Sequence, residues 1–168
     1  MVLKKKERND FMSNVIMKGK DSLSAALAEC YITIQGNRYN FMQAINLEAS
    51  MEKNKVDVPL LGKPGKGNKA TGWSGSGSAT FHYNTSIMRK LLLQYKDTGE
   101  DTYFDIQITN EDPTAKVGRQ TIILKDCNID GGILAKFDAD GEYLDEDIDF
   151  TFEDWDMPET FTMLDGME

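Results

Sequence analysis

The sequence predicts a mainly β protein: an antiparallel β-sandwich or barrel of about six or seven strands with one flanking α-helix. Three observations support this fold class. Apolar and polar residues alternate with the two-residue period of strands over most of the chain. Helical spacing of apolar residues occurs over about residues 85–97 only. Short turn signals separate the strands, as in hairpins, and the chain lacks the βαβ alternation of parallel sheets.

Length and composition indicate one globular domain. The chain has 168 residues, of which 40% are hydrophobic and 28% charged. We expect a single β domain over residues 29–168, preceded by a polar N-terminal arm over residues 1–28. The net charge of −9 argues against a protein that neutralises nucleic-acid phosphates. No apolar run reaches the roughly 20 residues of a membrane span, and no signal-peptide core is present, so we expect the protein in the cytoplasm.

The first strands lie between Cys30 and Met51. Cys30, Ile32 and Ile34 alternate with polar residues, after a short helical turn predicted within residues 21–29. Gly36-Asn37 predicts a tight hairpin turn. One long strand should follow, with these residues on one face: Tyr39, Phe41, Ile45, Leu47, Ala49 and Met51. Cys30 and Cys127 are far apart in sequence and lack a metal-binding spacing, so we expect two reduced, buried thiols.

The second half contains the helix and the remaining strands. A strand with Ala79, Phe81 and Tyr83 on one face precedes the helix. The apolar face of the helix consists of Ile87, Met88, Leu91, Leu92 and Tyr95. Thr85 or Ser86 suits its N-terminal cap and Gly99 its C-terminal end. Further strands are predicted around Phe104–Ile108, over residues 120–129 and over residues 144–153.

A glycine-rich stretch, LLGKPGKGNKATGWSGSGSATFHY, begins at Leu60. It holds six glycines between Gly62 and Gly77. A phosphate-binding P-loop needs Gly-Lys-Ser/Thr before a helix, whereas Gly67 precedes Asn68 and a strand follows. A linker is also a poor interpretation, because patterned strands flank the stretch.

A long β-hairpin arm over about residues 52–76 fits the glycine-rich stretch better. Such a long loop is either simply flexible or functional, and we expect an arm that docks on a neighbouring subunit. The residues predicted to act in it are Lys53, Lys55, Leu60, Leu61, Lys63, Lys66, Lys69 and Trp73.

The sequence contains no complete catalytic or metal-binding motif. His82 is the only histidine, and no serine sits in the strand–turn–helix motif of a hydrolase nucleophile. Asp138, Asp140 and Gly141 match part of a calcium-binding loop, but Lys136 occupies its first position and strands replace the helices. We therefore predict no catalytic residue, metal or cofactor.

The C-terminal third is strongly acidic. Eleven acidic residues and no lysine or arginine lie between Asp138 and Glu159. Asp145, Asp147, Asp149 and Glu153 share one face of the last predicted strand. This face is either an ordinary solvated surface or, in a ring-shaped assembly, the lining of a channel that repels polyanions.

Two motif blocks resemble the tail tube proteins of contractile-tailed phages, of the type found in the defective prophage particle PBSX. One block runs from Met51 to Ser86 and includes EKNK and ATGWSGSGSATFHYNTS; the other is DFTFEDWDMPE, residues 149–159. TYFDIQ, from Thr102, also fits, and the resemblance covers about residues 30–160. It implies a non-enzymatic subunit of hexameric rings that stack into a hollow tube inside a contractile sheath, with the long hairpin bridging subunits.

The resemblance also implies partners and locations. These are copies of the chain itself, sheath, baseplate and tail-terminator proteins, and either a tape measure protein or DNA in the channel. Assembly would take place in the bacterial cytoplasm, and the mature location would be a virion or tail-like particle, an infectious phage or a bacteriocin. The alternative function is a small β-sandwich binding module whose arm captures a peptide.

Overall fold

A computed structural model describes residues 16–167 of the chain. Over these residues it contains eight β-strands, one α-helix and one short 3-10 helix, Gly19–Asp21. The strands are β1 Ala28–Ile34, β2 Asn37–Asn40, β3 Ala44–Val58, β4 Gly67–His82, β5 Phe104–Glu111, β6 Arg119–Ile129, β7 Asp145–Phe152 and β8 Asp154–Glu159. The helix, α1, spans Ile87–Thr98. The predicted mainly β class with one helix is confirmed.

All strands pair antiparallel in the order β2-β1-β5-β6-β7-β4-β3, and β8 pairs with β6. Strand β6 joins the two parts of the sheet. It pairs with β5 from Arg119 to Cys127, with β8 from Thr121 to Lys125, and with β7 only at Asn128 and Ile129. Buried residues from both parts, such as Ile106 and Phe150, belong to one hydrophobic cluster. The core therefore lies between β1, β5 and β6 on one side and β7 and β4 on the other.

The buried faces follow the alternation in the sequence. On β1, Ile32 and Ile34 are buried, and on β7 every second residue from Glu146 to Phe152 is buried. The helix buries Met88 and packs Ile87 and Leu91 against the same cluster. Tyr95, predicted on this apolar face, is instead 54% exposed.

The ends of α1 have the expected chemistry with small differences. Gly99 follows the helix in the left-handed conformation (φ 74°), and its N–H donates to the carbonyl oxygen of Tyr95. A residue with a Cβ is strained at this φ. At the start, the Ser86 side chain makes no cap hydrogen bond, while the Thr85 hydroxyl accepts from the N–H of Ile87 at 3.4 Å.

Four details of the predicted elements are wrong. The long strand from Tyr39 is broken, because the chain turns at Phe41, where the N–H of Ala44 donates to the Phe41 carbonyl oxygen. The hairpin turn is centred one residue earlier, on Gln35-Gly36, which have φ angles of 50° and 81°. The last predicted strand, β7, ends at Phe152, and the strand after it, β8, was not predicted. The helical turn lies at Gly19–Asp21 rather than within residues 21–29.

The break before β3 also changes the predicted face of the long strand. Phe41 is buried, whereas Tyr39 and Ile45 are among the exposed apolar residues. Residues 1–15 of the predicted N-terminal arm lie outside the described residues. Within residues 16–167, no helix is both long and apolar enough to cross a membrane.

Candidate assembly interface

The predicted arm is a two-stranded ribbon that extends beyond the rest of the sheet. Strands β3 and β4 pair from Ala44↔Phe81 outward to Val58↔Gly67. The pairing of β4 with β7 ends at Gly75↔Phe152, so the outer part of the hairpin has no third strand beside it. At about 3.3 Å per residue, the seven β3 residues beyond Met51 give the ribbon a length of about 23 Å.

The arm exposes the side chains that the sequence singled out. Lys53, Lys55, Lys63, Lys66 and Lys69 are all exposed. Their charges keep the arm solvated in a free subunit.

The apolar residues of the arm differ in their exposure. At the tip Leu61 is fully exposed, while Leu60 is 43% exposed and packs over Gly67. Trp73 lies farther in, with its ring centroid 6.2 Å from that of Phe152. The structure therefore spreads the predicted arm residues along the ribbon rather than gathering them in one site.

The inner glycines of the stretch make room for core aromatic rings. Gly75 and Gly77 lie directly opposite Phe152 and Phe150 on β7. A Cβ on Gly75 would lie 2.4 Å from the Phe152 ring. A Cβ on Gly77 would lie 2.4 Å from the Phe150 ring and 2.8 Å from the Glu48 carbonyl oxygen. These two glycines therefore serve packing at the base of the arm, whereas Gly62 (φ 76°) serves the turn at its tip.

The acidic residues of β7 lie on the exposed face of the β3-β4-β7 part of the sheet. Asp147 and Asp149 are exposed, Asp145 is half-buried, and the Thr80 hydroxyl donates to the Asp147 carboxylate at 2.7 Å. Glu153 lies in the bend between β7 and β8, where its N–H donates to the Lys125 carbonyl oxygen. The structure thus groups three of the four predicted acidic residues in one row.

Small polar residues separate these carboxylates from Glu48 on β3. Ser78 on β4 lies between Asp149 on β7 and Glu48 on β3. The central rows of this face are Asn46, Glu48 and Ser50 on β3, Ser76, Ser78 and Thr80 on β4, and Asp147, Asp149 and Thr151 on β7. These nine positions include no lysine or arginine.

A buried ion pair beneath this face was not predicted. Glu146 is 2% exposed, and its carboxylate accepts from the Arg89 guanidinium at 2.8 Å. Arg89 also donates to the carbonyl oxygens of Thr85 and Ile133 and lies 4.2 Å from the centroid of the Tyr83 ring. The pair connects α1 to β7 and to the segment before it. The alternating pattern of β7 could have predicted that Glu146 is buried, because position 146 lies on the same side of the strand as Ile148 and Phe150.

Among the residues that the structure describes, three groups have shifted pKa values, and each shift results from burial or from hydrogen bonds within the fold. Burial raises the pKa of Cys30 to about 11 and, with help from the Asp105 charge, that of Cys127 to about 12. Both thiols are free, as expected, but only Cys127 is buried, whereas Cys30 is half-buried. Both stay protonated near neutral pH. The N–H groups of Thr114 and Ser24 hold the pKa of Asp112 below its usual range. Within residues 16–167, no group of three or more His, Cys, Asp or Glu residues is placed to hold a metal ion.

Comparisons with known proteins identify the family of this chain. Residues 15–159 match the family model described as "Phage tail tube protein", DUF2001. The phage-like element PBSX protein XkdM of Bacillus subtilis (strain 168) is 41% identical over 112 residues, which cover 67% of this chain and 76% of that relative.

Two solved structures share the fold at low sequence identity. A chain of the anti-feeding prophage baseplate has a TM-score of 0.59 at 11% identity, covering 81% of this chain and 95% of its own. A chain of the sheath–tube complex of the extracellular contractile injection system PVC has a TM-score of 0.57 at 9% identity, covering 81% and 90%. On the family match and the relative, this chain belongs to the phage tail tube protein family, whose members are structural proteins and not enzymes.

Proposed function

We propose that this chain is the tube subunit of a phage tail or phage-tail-like bacteriocin and that its copies form hexameric rings stacked around a hollow channel. The observation that carries the proposal is the arm. A ribbon about 23 Å long, with no third strand and with Leu61 fully exposed at its tip, leaves surface that one subunit alone does not cover. Membership of the tail tube family supplies the kind of partner, namely further copies of the same chain.

The arm is proposed to dock on a neighbouring subunit. Its five lysines lie on a chain whose net charge is −9, so the surface of another copy attracts them. Contact with a neighbour would also cover Leu60, Leu61 and the exposed edge of Trp73. Burial of apolar surface contributes about 25 cal/mol per Å², which offsets the entropy lost when the tip becomes ordered.

The face with Asp145, Asp147 and Asp149 is proposed to line the channel. It combines carboxylates with small hydroxyl groups, and its central rows contain no basic residue. Such a wall repels nucleic-acid phosphates and offers them no cation to bind. Glu153 is proposed to add to the negative potential from the end of β7.

The remaining partners are inferred from the particles in which proteins of similar fold occur. The solved structures with this fold come from particles described as a contractile injection system and a prophage baseplate. We therefore place a contractile sheath around the tube, baseplate and terminator proteins at its ends, and a tape measure protein or DNA inside. Assembly would occur in the bacterial cytoplasm, and the mature chain would reside in the virion or tail-like particle.

Electron microscopy of the purified protein at high concentration tests this function. The expected result is rings with sixfold symmetry or tubes of uniform width. A monodisperse globular protein at every concentration would contradict the proposal and favour the peptide-binding module. The family match does not favour that module.

A further inference from the structure

An apolar groove opens at the base of the arm, between the two parts of the sheet. It has a volume of about 300 Å³. Its walls include Leu47 and Met51 of β3, Ile108 of β5, Ile122 of β6, Phe152 of β7 and Trp155 of β8. Met51 and Trp155 are 40% and 39% exposed at its rim, where the Trp155 indole N–H contacts the Met51 sulfur at 3.3 Å. The groove is large enough for an aromatic side chain, and its lining suits one.

The segment between β6 and β7, residues 130–144, presents an apolar side chain that has no cover. Phe137 is 91% exposed. The segment is nevertheless held in place on both sides of this residue. Arg89 donates to the carbonyl oxygen of Ile133, and the Lys136 ammonium donates to that of Asp145 at 2.8 Å. Phe137 is therefore displayed on an anchored segment.

The groove and Phe137 lie at opposite ends of the β4–β7 ladder. At the arm end, Gly75 pairs with Phe152, which lines the groove. At the other end, His82 pairs with Asp145 and contacts Tyr143 of the 130–144 segment at 5.7 Å between ring centroids. The seven residue steps between these pairs separate them by about 23 Å. Within one molecule the two features are too far apart to meet, so a contact between them would join two copies head to tail and would repeat.

The charges beside the two features are complementary. Asp138 directly follows Phe137, Asp140 lies two residues farther along, and both are exposed. On β3, Lys53 is exposed and follows Met51 on the same side of the strand, next to the groove. On the β8 side of the groove, Asp156 is already paired with Lys125 at 4.0 Å. The carboxylates of Asp138 and Asp140 from a second copy would therefore meet Lys53 on the arm side of the groove.

We propose that the groove of one copy receives Phe137 of a second copy, with Asp138 beside Lys53 of the receiving copy. This contact rests on the proposed tube function and adds to it a specific pair of surfaces. The two surfaces differ, so each copy gives one contact and receives one. A chain of such contacts grows into a ring or a stack.

Cross-linking tests the contact directly. The variant Ala49→Cys, Ala139→Cys keeps Phe137 and places one thiol on the groove lining and one on the exposed segment two residues after Phe137. A short bis-maleimide should link this variant into a ladder of oligomers. A mixture of the two single-cysteine variants should give dimers only, because each chain then has one reactive surface. The native thiols react poorly, since burial raises the pKa of Cys30 to about 11 and of Cys127 to about 12.

A matched control and a second readout separate the possible failures. Ala49→Cys with Leu93→Cys, an exposed site on α1, should give no ladder. Tubes without a ladder in the Ala49→Cys, Ala139→Cys variant would overturn the contact and leave the tube function. A ladder without tubes would support the contact and contradict the tube function. The absence of both would overturn both.

Substitution of Phe137 itself gives a second measurement. Phe137→Asp should raise the protein concentration needed for assembly at least about tenfold, as expected for loss of a central interface side chain. Phe137→Leu, which keeps an apolar side chain, should change it less than about threefold. Because Phe137 is exposed in the subunit, both variants should fold. Equal assembly by wild type and Phe137→Asp would overturn the contact.

Discussion

The glycines of β4 illustrate how single residues shape the base of the arm. Gly75 and Gly77 leave space that the rings of Phe152 and Phe150 fill from the next strand. The G-x-G pattern on one strand thus matches an F-x-F pattern on its partner. Aromatic rings that lie over glycine backbone restore packing that glycine itself cannot supply.

Gly77→Ala should therefore destabilise the fold. Its Cβ would meet both a ring and a backbone carbonyl oxygen, so we expect a loss of about 1–3 kcal/mol in the free energy of unfolding. Gly72→Ala is the matched control on the same strand, because its Cβ would have only an ordinary contact, 3.9 Å from the Asn54 side chain. Urea denaturation of both variants measures the difference. Equal midpoints would refute the packing explanation.

The ion pair of Arg89 and Glu146 should be needed for stability. Arg89→Met leaves the Glu146 carboxylate buried without its cation, so we expect a loss of about 3–5 kcal/mol. The double variant Arg89→Met, Glu146→Leu should recover at least half of that loss, since the unpaired charge is then gone. A double-mutant cycle on the free energy of unfolding checks this. Additive effects of the single substitutions would show that the pair does not couple.

At the scale of elements, the sequence predicted the type of each main segment better than its limits. Alternation identified β1, β5 and β7, and the spacing from Ile87 with Gly99 at the end identified α1. The break at Phe41 and the bend at Glu153 were missed, because neither position contains glycine or proline. Both depend on long-range backbone contacts, in which Phe41 donates to Cys30 and Glu153 donates to Lys125.

The sequence likewise predicted only part of the candidate site. The lysines and leucines of the arm could be predicted because a glycine-rich hairpin has no core of its own to bury them. The groove could not be predicted, since its walls come from β3, β5, β6, β7 and β8 and exist only in the folded sheet. Glu153 was misplaced because a continued alternation cannot reveal that the chain changes partner strand.

The tip of the arm should be the first site of tryptic cleavage in the free subunit. Lys63 and Lys66 lie in the loop between β3 and β4, whereas Lys69 is paired with Val56. Pro64 follows Lys63 and makes that bond resistant, so cleavage is expected after Lys66. Assembled tubes should be protected at this bond, and Lys66→Gln should remove the early fragment from free subunits. Equal cleavage rates in subunit and tube would exclude the tip from the assembly contact.

At the scale of the whole molecule, charge is divided between the arm and the sheet face. Lysines concentrate on the arm, and carboxylates on the exposed face of β7. If that face lines a channel, Asp147→Lys with Asp149→Lys should leave tubes intact, because both residues are exposed and away from the arm. The cationic wall should then bind DNA in a salt-dependent manner inside assembled tubes. If the variant formed tubes but bound no more DNA than wild type does, the acidic face of β7 would not line the channel.

The central claim is that the subunit needs its arm to polymerise into tubes. Its most direct test is electron microscopy and sedimentation of a variant in which residues 54–72 are replaced by Asn-Gly. This turn can join Lys53 to Trp73, which are paired neighbours in the ribbon, so the body of the sheet is preserved. We predict a folded monomer with the strand content of the shortened chain that forms no tubes under conditions where wild type does. Tubes formed by the armless variant at the wild-type concentration would contradict the claim.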